Sequence, residues 1–123
     1  MLKNLARAGA RALSALLAVG AALPLQAQAP TGPPLKVGFV YVSPVGEAGW
    51  TYQHDQGRRE LERALGNRVQ TSAVESVAEG TDAERVLRDL AAQGHGLIFA
   101  TSFGYLEPAL RVAAEYPKVR FEH

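Results

Sequence analysis

The chain has 123 residues, of which 47% are hydrophobic and 20% are charged. Its 13 Lys and Arg residues nearly balance its 12 Asp and Glu residues, so the charge gives no support for a nucleic-acid partner. The absence of cysteine excludes both a disulfide framework and a lipid-modified cysteine that would anchor the chain to a membrane.

Residues 1–29 have the pattern of a signal peptide for export to the periplasm. Three basic residues without acids precede the apolar run 12–23, and Ala27 and Ala29 are small enough for a signal peptidase. The apolar run is short for a bilayer span and Pro24 interrupts its end, so a retained anchor is the weaker alternative. Removal of this leader leaves ten basic against twelve acidic residues.

Residues 30–34 are predicted to be a linker, which leaves about 90 residues, 35–123, for one small domain. The apolar run Leu35–Val42 reads as a buried parallel strand. The segment that follows it, SPVGEAGWTYQHDQG over 43–57, is dense in polar and aromatic groups. Because ligands bind beyond the carboxyl ends of such strands, this segment is the first candidate for a binding loop.

The next segment has the pattern of an amphipathic helix that ends at Gly66 and Asn67. The residues expected on its inner face are Trp50, His54, Gly57, Leu61, Ala64 and Leu65, and those expected largely outside it are Arg58, Arg59, Glu60, Glu62 and Arg63.

The remainder of the chain repeats the alternation of strand and helix. Val69–Val74 is predicted as a strand, followed by a helix that begins at Thr81 and stops at Gly94. Thr81 and Glu84 have the spacing of a capping box. Further elements are predicted as the strand Leu97–Ala100, the loop Thr101–Tyr105, the helix Leu106–Tyr116 and the strand Val119–Glu122.

This order predicts an α/β fold of three layers, with a parallel sheet between helices, as in flavodoxin-like proteins. No helix follows the last strand to cover it. The chain is therefore either a minimal flavodoxin-like unit or the front portion of a larger protein, and the uncovered strand favours the second.

The sequence lacks the common motifs of catalysis and of metal binding. The chain contains no G-x-G-x-x-G, Walker or G-x-S-x-G motif and no cysteine nucleophile. His54 and Asp55 are adjacent on a helix, point in different directions and have no third ligand at suitable spacing. We therefore expect no catalytic residues, no metal and no cofactor.

Several blocks of the sequence, taken in order, resemble a known family. They are KVGFVYVSPVGEAGWTYQHDQGR, VAEGTDAERVLRDLAAQG, LIFATSFGY and KVRFEH, which together cover nearly all of 36–123. They are similar to the N-terminal blocks of the basic membrane protein (BMP) family, the substrate-binding receptors of purine-nucleoside ABC importers. Any one block alone would be weak, but their order makes the resemblance specific.

The resemblance implies a type I periplasmic binding protein, monomeric at full length, whose two lobes close about a hinge. Its ligand would be a purine base or nucleoside. The tryptophan in the first loop is most similar to family members that bind adenine or a related purine. Its partner would be an ABC permease in the inner membrane. Since the second lobe is missing from this sequence, residues 35–123 would be the N-terminal part of lobe 1.

The family's first loop motif matches this sequence with departures. Glu47 stands where the family usually has Asp, Trp50 where many members have Phe, and Thr51 where many have Asn. Trp50 would stack on the base, or else anchor the helix in the core. Glu47 would accept ligand hydrogen bonds or be a first-turn acid, and Thr51 would contact ligand or cap the helix.

The family's second loop, which faces the cleft, matches at Ser102, Phe103, Gly104 and Tyr105. Ser102 and the Gly104 backbone would supply hydrogen bonds, whereas Phe103 would face either the cleft or the core. Three other readings remain open: a periplasmic ligand-sensing module, a small flavin-binding or phosphate-binding domain, and a truncated fragment without activity.

Overall fold

A computed structural model describes residues 31–123 of the chain. The predicted signal peptide, 1–29, and the first residue of the predicted linker, 30–34, lie outside the described residues. Residues 31–34 are exposed and have no regular structure. No helix within the described part is long and apolar enough to cross a membrane.

Four strands and three helices alternate along the described chain. All strands are parallel, in the order β2-β1-β3-β4. The strands are β1 (Leu35–Val40), β2 (Val69–Val74), β3 (Leu97–Ala100) and β4 (Arg120–Glu122), and the helices are α1 (Trp50–Leu65), α2 (Thr81–Ala92) and α3 (Leu106–Glu115). The predicted α/β fold is confirmed, although β1 ends at Val40 because its neighbours end opposite that residue.

The sheet lies between two helical layers. Val37, Phe39 and Tyr41 point to the α1 side, where Leu61 of α1 packs against them. Val40 and Ile98 point to the other side, into a larger core that α2 and α3 cover. This division follows from the two-residue period of a strand, which sends successive side chains to opposite faces.

The predicted inner face of α1 is correct only in part: Leu61 packs against the sheet, but the face is centred on other residues. Trp50, placed on that face by its spacing, is 64% exposed, whereas Thr51 and Asp55 are each 2% exposed. The inner stripe of α1 continues through the half-buried Arg58 and Glu62, which the sequence analysis placed outside. The helix therefore packs on the sheet through a largely polar stripe.

Paired charges make this stripe stable in the interior. The Asp55 carboxylate accepts hydrogen bonds from Arg58 Nε at 2.8 Å, from Arg59 Nε at 2.7 Å and from the Tyr41 hydroxyl at 3.3 Å. Burial opposes the charge on Asp55, but the two arginines outweigh it and hold the pKa of Asp55 below its usual value. Burial, and then the charge of Asp55, raises the pKa of Tyr41 to about 12.

The predicted capping box at the start of α2 is also wrong. The N-cap is Gly80, with φ 87°, and it makes no side-chain hydrogen bond. Glu84 instead accepts from Arg88 at 2.8 Å and from Arg111 of α3 at 2.7 Å. Glu84 joins α2 to α3 instead of capping α2, because the charge-assisted hydrogen bonds from the two arginines are stronger than one from a backbone N–H.

Two glycines of non-positive φ provide a matched test of this packing. Gly57 lies in the exposed middle of α1, where an added Cβ would meet nothing within 4 Å. A Cβ on Gly38 of β1 would lie 3.0 Å from Leu90 Cδ1 of α2. We expect Gly57→Ala to raise the free energy of unfolding by about 0.5–1 kcal/mol, and Gly38→Val to lower it by about 1–3 kcal/mol through overpacking. Urea unfolding measures both, and a stable Gly38→Val would contradict the close approach of α2 to β1.

Candidate functional site

The direction in which the strands are added reverses between β1 and β3. From β1 the chain adds β2 on one side, and then β3 and β4 on the other. The loop 41–49 after β1 and the loop 101–105 after β3 therefore meet at the carboxyl edge of the sheet. In open α/β sheets this switch point is where a crevice forms and ligands bind.

Trp50 bridges these two loops. Its indole Nε1 donates a hydrogen bond to the carbonyl oxygen of Thr101 at 2.5 Å. Thr101 is held in turn by its hydroxyl, which donates to the Val40 carbonyl at 2.7 Å. The Trp50 ring also meets the His54 ring edge-on, with 4.8 Å between the ring centroids. The indole is thus oriented from two sides while 64% of the residue is exposed.

A concave site of about 480 Å³ opens beside the Trp50 ring. This volume is within the range of small-molecule pockets. The loop after β3 contributes to its lining, and so does Phe99, which packs on the α1 side of the sheet. The lining residues are Trp50, His54, Phe99, Ala100, Thr101, Ser102, Phe103, Glu122 and His123.

The loop after β3 presents an aromatic side chain to this site. Phe103, at the tip of the short 3₁₀ turn Phe103–Tyr105, is 92% exposed and lies at the rim. Ser102 also lines the site, but its hydroxyl donates to Glu79 Oε1 at 2.6 Å. The Gly104 N–H donates to the same oxygen at 2.9 Å, and Gly104 is outside the lining.

Glu47 and Thr51 lie apart from the concave site. Glu47 is exposed on the loop after β1, and neither residue lines the cavity. Thr51 is buried inside α1, and its Oγ1 lies 2.7 Å from Ser43 Oγ. The N-cap of α1 is Gly49, with φ 94°, so Thr51 does not cap the helix. Of the six predicted site residues, Trp50, Ser102 and Phe103 are brought together in the cavity.

Three residues that line the site or hold its loops were not among the predicted site residues. His54 lines the cavity, and burial lowers its pKa. Its spacing of four residues from Trp50 was a usable signal, since both face one side of a helix. His123 lines the cavity too, with Nε2 2.9 Å from the Ser102 carbonyl oxygen. Glu79 had no signal, because its partners lie 23 and 25 residues away in the chain.

Comparison with known proteins decides the family. The family model of PnrA-like ABC transporter substrate-binding proteins (Bmp) matches residues 35–123. The chain belongs to this family. The resemblance predicted from the ordered sequence blocks is confirmed, and the PnrA-like family is one of solute-binding proteins rather than enzymes.

Curated relatives of this PnrA-like chain are much longer than it is. A purine-binding protein of Brucella abortus (strain 2308) is 57% identical over 89 residues, which are 72% of this chain and 25% of the relative. A putative ABC transporter glucose-binding protein of Haloferax volcanii is 37% identical over 92 residues, which are 75% of this chain and 23% of the relative. The chain thus spans about a quarter of the length of these relatives.

Solved structures of solute-binding proteins share the PnrA-like chain's fold. An ABC transporter solute-binding protein from Conexibacter woesei DSM 14684 matches with a TM-score of 0.65 and 26% identity, over 71% of this chain and 28% of that one. A solute-binding protein from Aeropyrum pernix K1 matches with a TM-score of 0.59 and 23% identity, over 72% of this chain and 24% of that one. The second match bears on the fold alone.

Proposed function

We propose that residues 35–123 form the N-terminal part of the first lobe of a periplasmic receptor that binds a purine base or nucleoside. The receptor delivers this ligand to an ABC permease in the inner membrane and is a monomer at full length. Residues 1–29 serve as its signal peptide and 30–34 as a linker. The family match supports the transport role, and the name of the Brucella abortus relative supports the purine class.

The observation that carries the ligand class is the exposed, oriented indole of Trp50. A purine presents two flat apolar faces and a polar rim, and stacking on an aromatic ring is worth about 1–3 kcal/mol per base. Trp50 is held by Thr101 and His54, so little freedom is lost when a base stacks on it. Phe103 supplies further aromatic surface at the rim.

The test is isothermal titration of the full-length receptor with adenine, adenosine and guanosine. Glucose belongs in the same series because a second relative is named as glucose-binding. We expect saturable heat with one site per receptor for at least one purine. Heat with glucose and none with any purine would replace the purine assignment by a sugar.

A further inference from the structure

The segment 75–80, between β2 and α2, connects the two loops of the site. Its centre is fixed at Val77, which is 5% exposed. The Val77 N–H donates to the Tyr41 carbonyl at 2.9 Å, at the end of β1. The Val77 carbonyl accepts from the Tyr105 hydroxyl at 2.7 Å, beyond the end of β3. The segment is therefore anchored to the chain on both sides of the switch point.

A glutamate on each side of Val77 holds one of the two loops. Glu75 Oε2 accepts from the backbone N–H of Val45, in the loop after β1, at 2.8 Å. Glu79 Oε1 accepts from the Ser102 hydroxyl and from the Gly104 N–H, in the loop after β3. One anchored segment thus supplies a carboxylate to each of the two loops.

Glu79 fits its loop closely. An added Cβ on Gly104 would collide with the Glu79 carboxylate, although the Gly104 backbone has no positive φ and would accept alanine without conformational strain. The hydrogen bonds from Ser102 and Gly104 lower the pKa of Glu79, so the carboxylate is charged at neutral pH. A charged acceptor of two hydrogen bonds holds an exposed turn more firmly than a neutral one.

Resting on the proposed function, we propose that Glu79 is a positioning residue that presets the loop after β3, and with it Phe103, for ligand binding. Glu79 accepts hydrogen bonds from the Ser102 hydroxyl and the Gly104 N–H. These two donors are therefore occupied, and the loop contacts the ligand through Phe103. The affinity that Glu79 contributes arises because the loop is already ordered before the ligand arrives.

The first test is the affinity of the full-length receptor for the purine that binds best. We expect Glu79→Ala to weaken binding about 10-fold, the low end of the value of a single hydrogen bond to a charged group. Glu79→Gln keeps an oxygen acceptor at the same position and should restore affinity to within about threefold of wild type. The matched control is Asp82→Ala, an exposed carboxylate of α2 that pairs with Arg85 of the same helix.

Gly104→Ala should also break the hydrogen bonds between Glu79 and the loop, because the added Cβ displaces the Glu79 carboxylate. We expect it to weaken binding as Glu79→Ala does, and the double variant to be no weaker than either single variant. Wild-type affinity in Glu79→Ala would overturn the proposal. Tighter binding would overturn it as well, since it would mean that Glu79 competes with the ligand for Ser102 and Gly104.

A second readout does not depend on the ligand. Hydrogen exchange of the Gly104 amide in the full-length receptor should be slow in wild type and in Glu79→Gln, and faster in Glu79→Ala. If no purine binds, the proposed function fails while this measurement still decides whether Glu79 holds the loop. Unchanged exchange in Glu79→Ala would overturn the positioning role whatever the ligand proves to be.

Discussion

Replacing Asp55 with alanine is expected to lower the free energy of unfolding by about 3 kcal/mol, the lower end of the cost of breaking a buried ion pair. Asp55 is the common acceptor of two arginines and Tyr41 inside the α1 layer. Its removal leaves the buried Tyr41 hydroxyl without that partner and Arg58 beside the sheet with less compensation. Arg59, 55% exposed, can turn to water, which keeps the cost at the lower end.

Urea unfolding of the wild type and the variant at neutral pH measures this effect. Glu60→Ala is the matched control, because Glu60 lies on the same helix, is 74% exposed and pairs only loosely with Arg63 at 3.8 Å. We expect the control to remain within about 0.5 kcal/mol of wild type. Equal stability of Asp55→Ala and Glu60→Ala would show that the polar stripe contributes nothing to the fold.

The pH dependence of the free energy of unfolding provides an independent test of the role of Asp55. The pKa of Asp55 is lower in the folded chain than the value of about 3.9 expected in the unfolded chain. The stabilisation from the charge of Asp55 is therefore fully present when the pH is above the pKa of the unfolded chain. It is lost as the pH falls through the lower pKa of the folded chain. The stability difference between wild type and Asp55→Asn should shrink on acidification, and a difference that grows would contradict this assignment.

Replacing Trp50 with alanine is expected to weaken purine binding by about 1–3 kcal/mol, which is about 5- to 150-fold in Kd. The indole offers an exposed face to the concave site, and its hydrogen bond to Thr101 joins the two loops. Both contributions are lost together in alanine. Stability should change little, because 64% of Trp50 is already exposed to solvent.

Isothermal titration of the full-length receptor measures this loss, and two variants separate its causes. Trp50→Phe keeps an aromatic face but has no N–H for Thr101, so its affinity should fall between those of wild type and Trp50→Ala. Leu110→Ala removes an apolar side chain of α3 that is 57% exposed and outside the lining, and it should bind normally. Unchanged affinity in Trp50→Ala would eliminate the stacking role.

The sheet and α2 were predictable because local patterns decide them. The residues predicted to repeat along α2, such as Val86, Leu87 and Leu90, are indeed buried against the sheet. The alternation of strand and helix was enough to predict a parallel sheet. Both inferences rest on hydrophobic periodicity, which a single segment carries in full.

The inner face of α1 was not predictable from the helix by itself. Its arginine and carboxylate stripe is tolerated because Tyr41 of the segment after β1 and Thr71 of β2 complete the hydrogen bonds. These partners lie 9 to 14 residues away from the helix residues that they contact. A hydrophobic pattern predicts such charged side chains to be exposed, because the sequence of the helix does not show which residues will be their hydrogen-bond partners.

The same limit applied to the site. Trp50 was predicted from its place in the loop after a buried strand and from the family resemblance, and Ser102 and Phe103 were predicted from the resemblance. These three residues line one cavity. The part played by Glu79 depends on a contact between two loops whose approach is set by the sheet as a whole. Candidate hydrogen-bond donors such as Ser102 can be located in sequence, but their acceptors cannot.

The position of Trp50 has an optical consequence. It is the only tryptophan among the 123 residues, and it stands between the two loops with its indole N–H engaged and much of its ring in water. Its fluorescence therefore reports, without a label, on one place in the domain that residues 31–123 form. A solute that covers the ring should change the intensity and emission wavelength of Trp50 fluorescence, so binding beside the ring can be followed in real time.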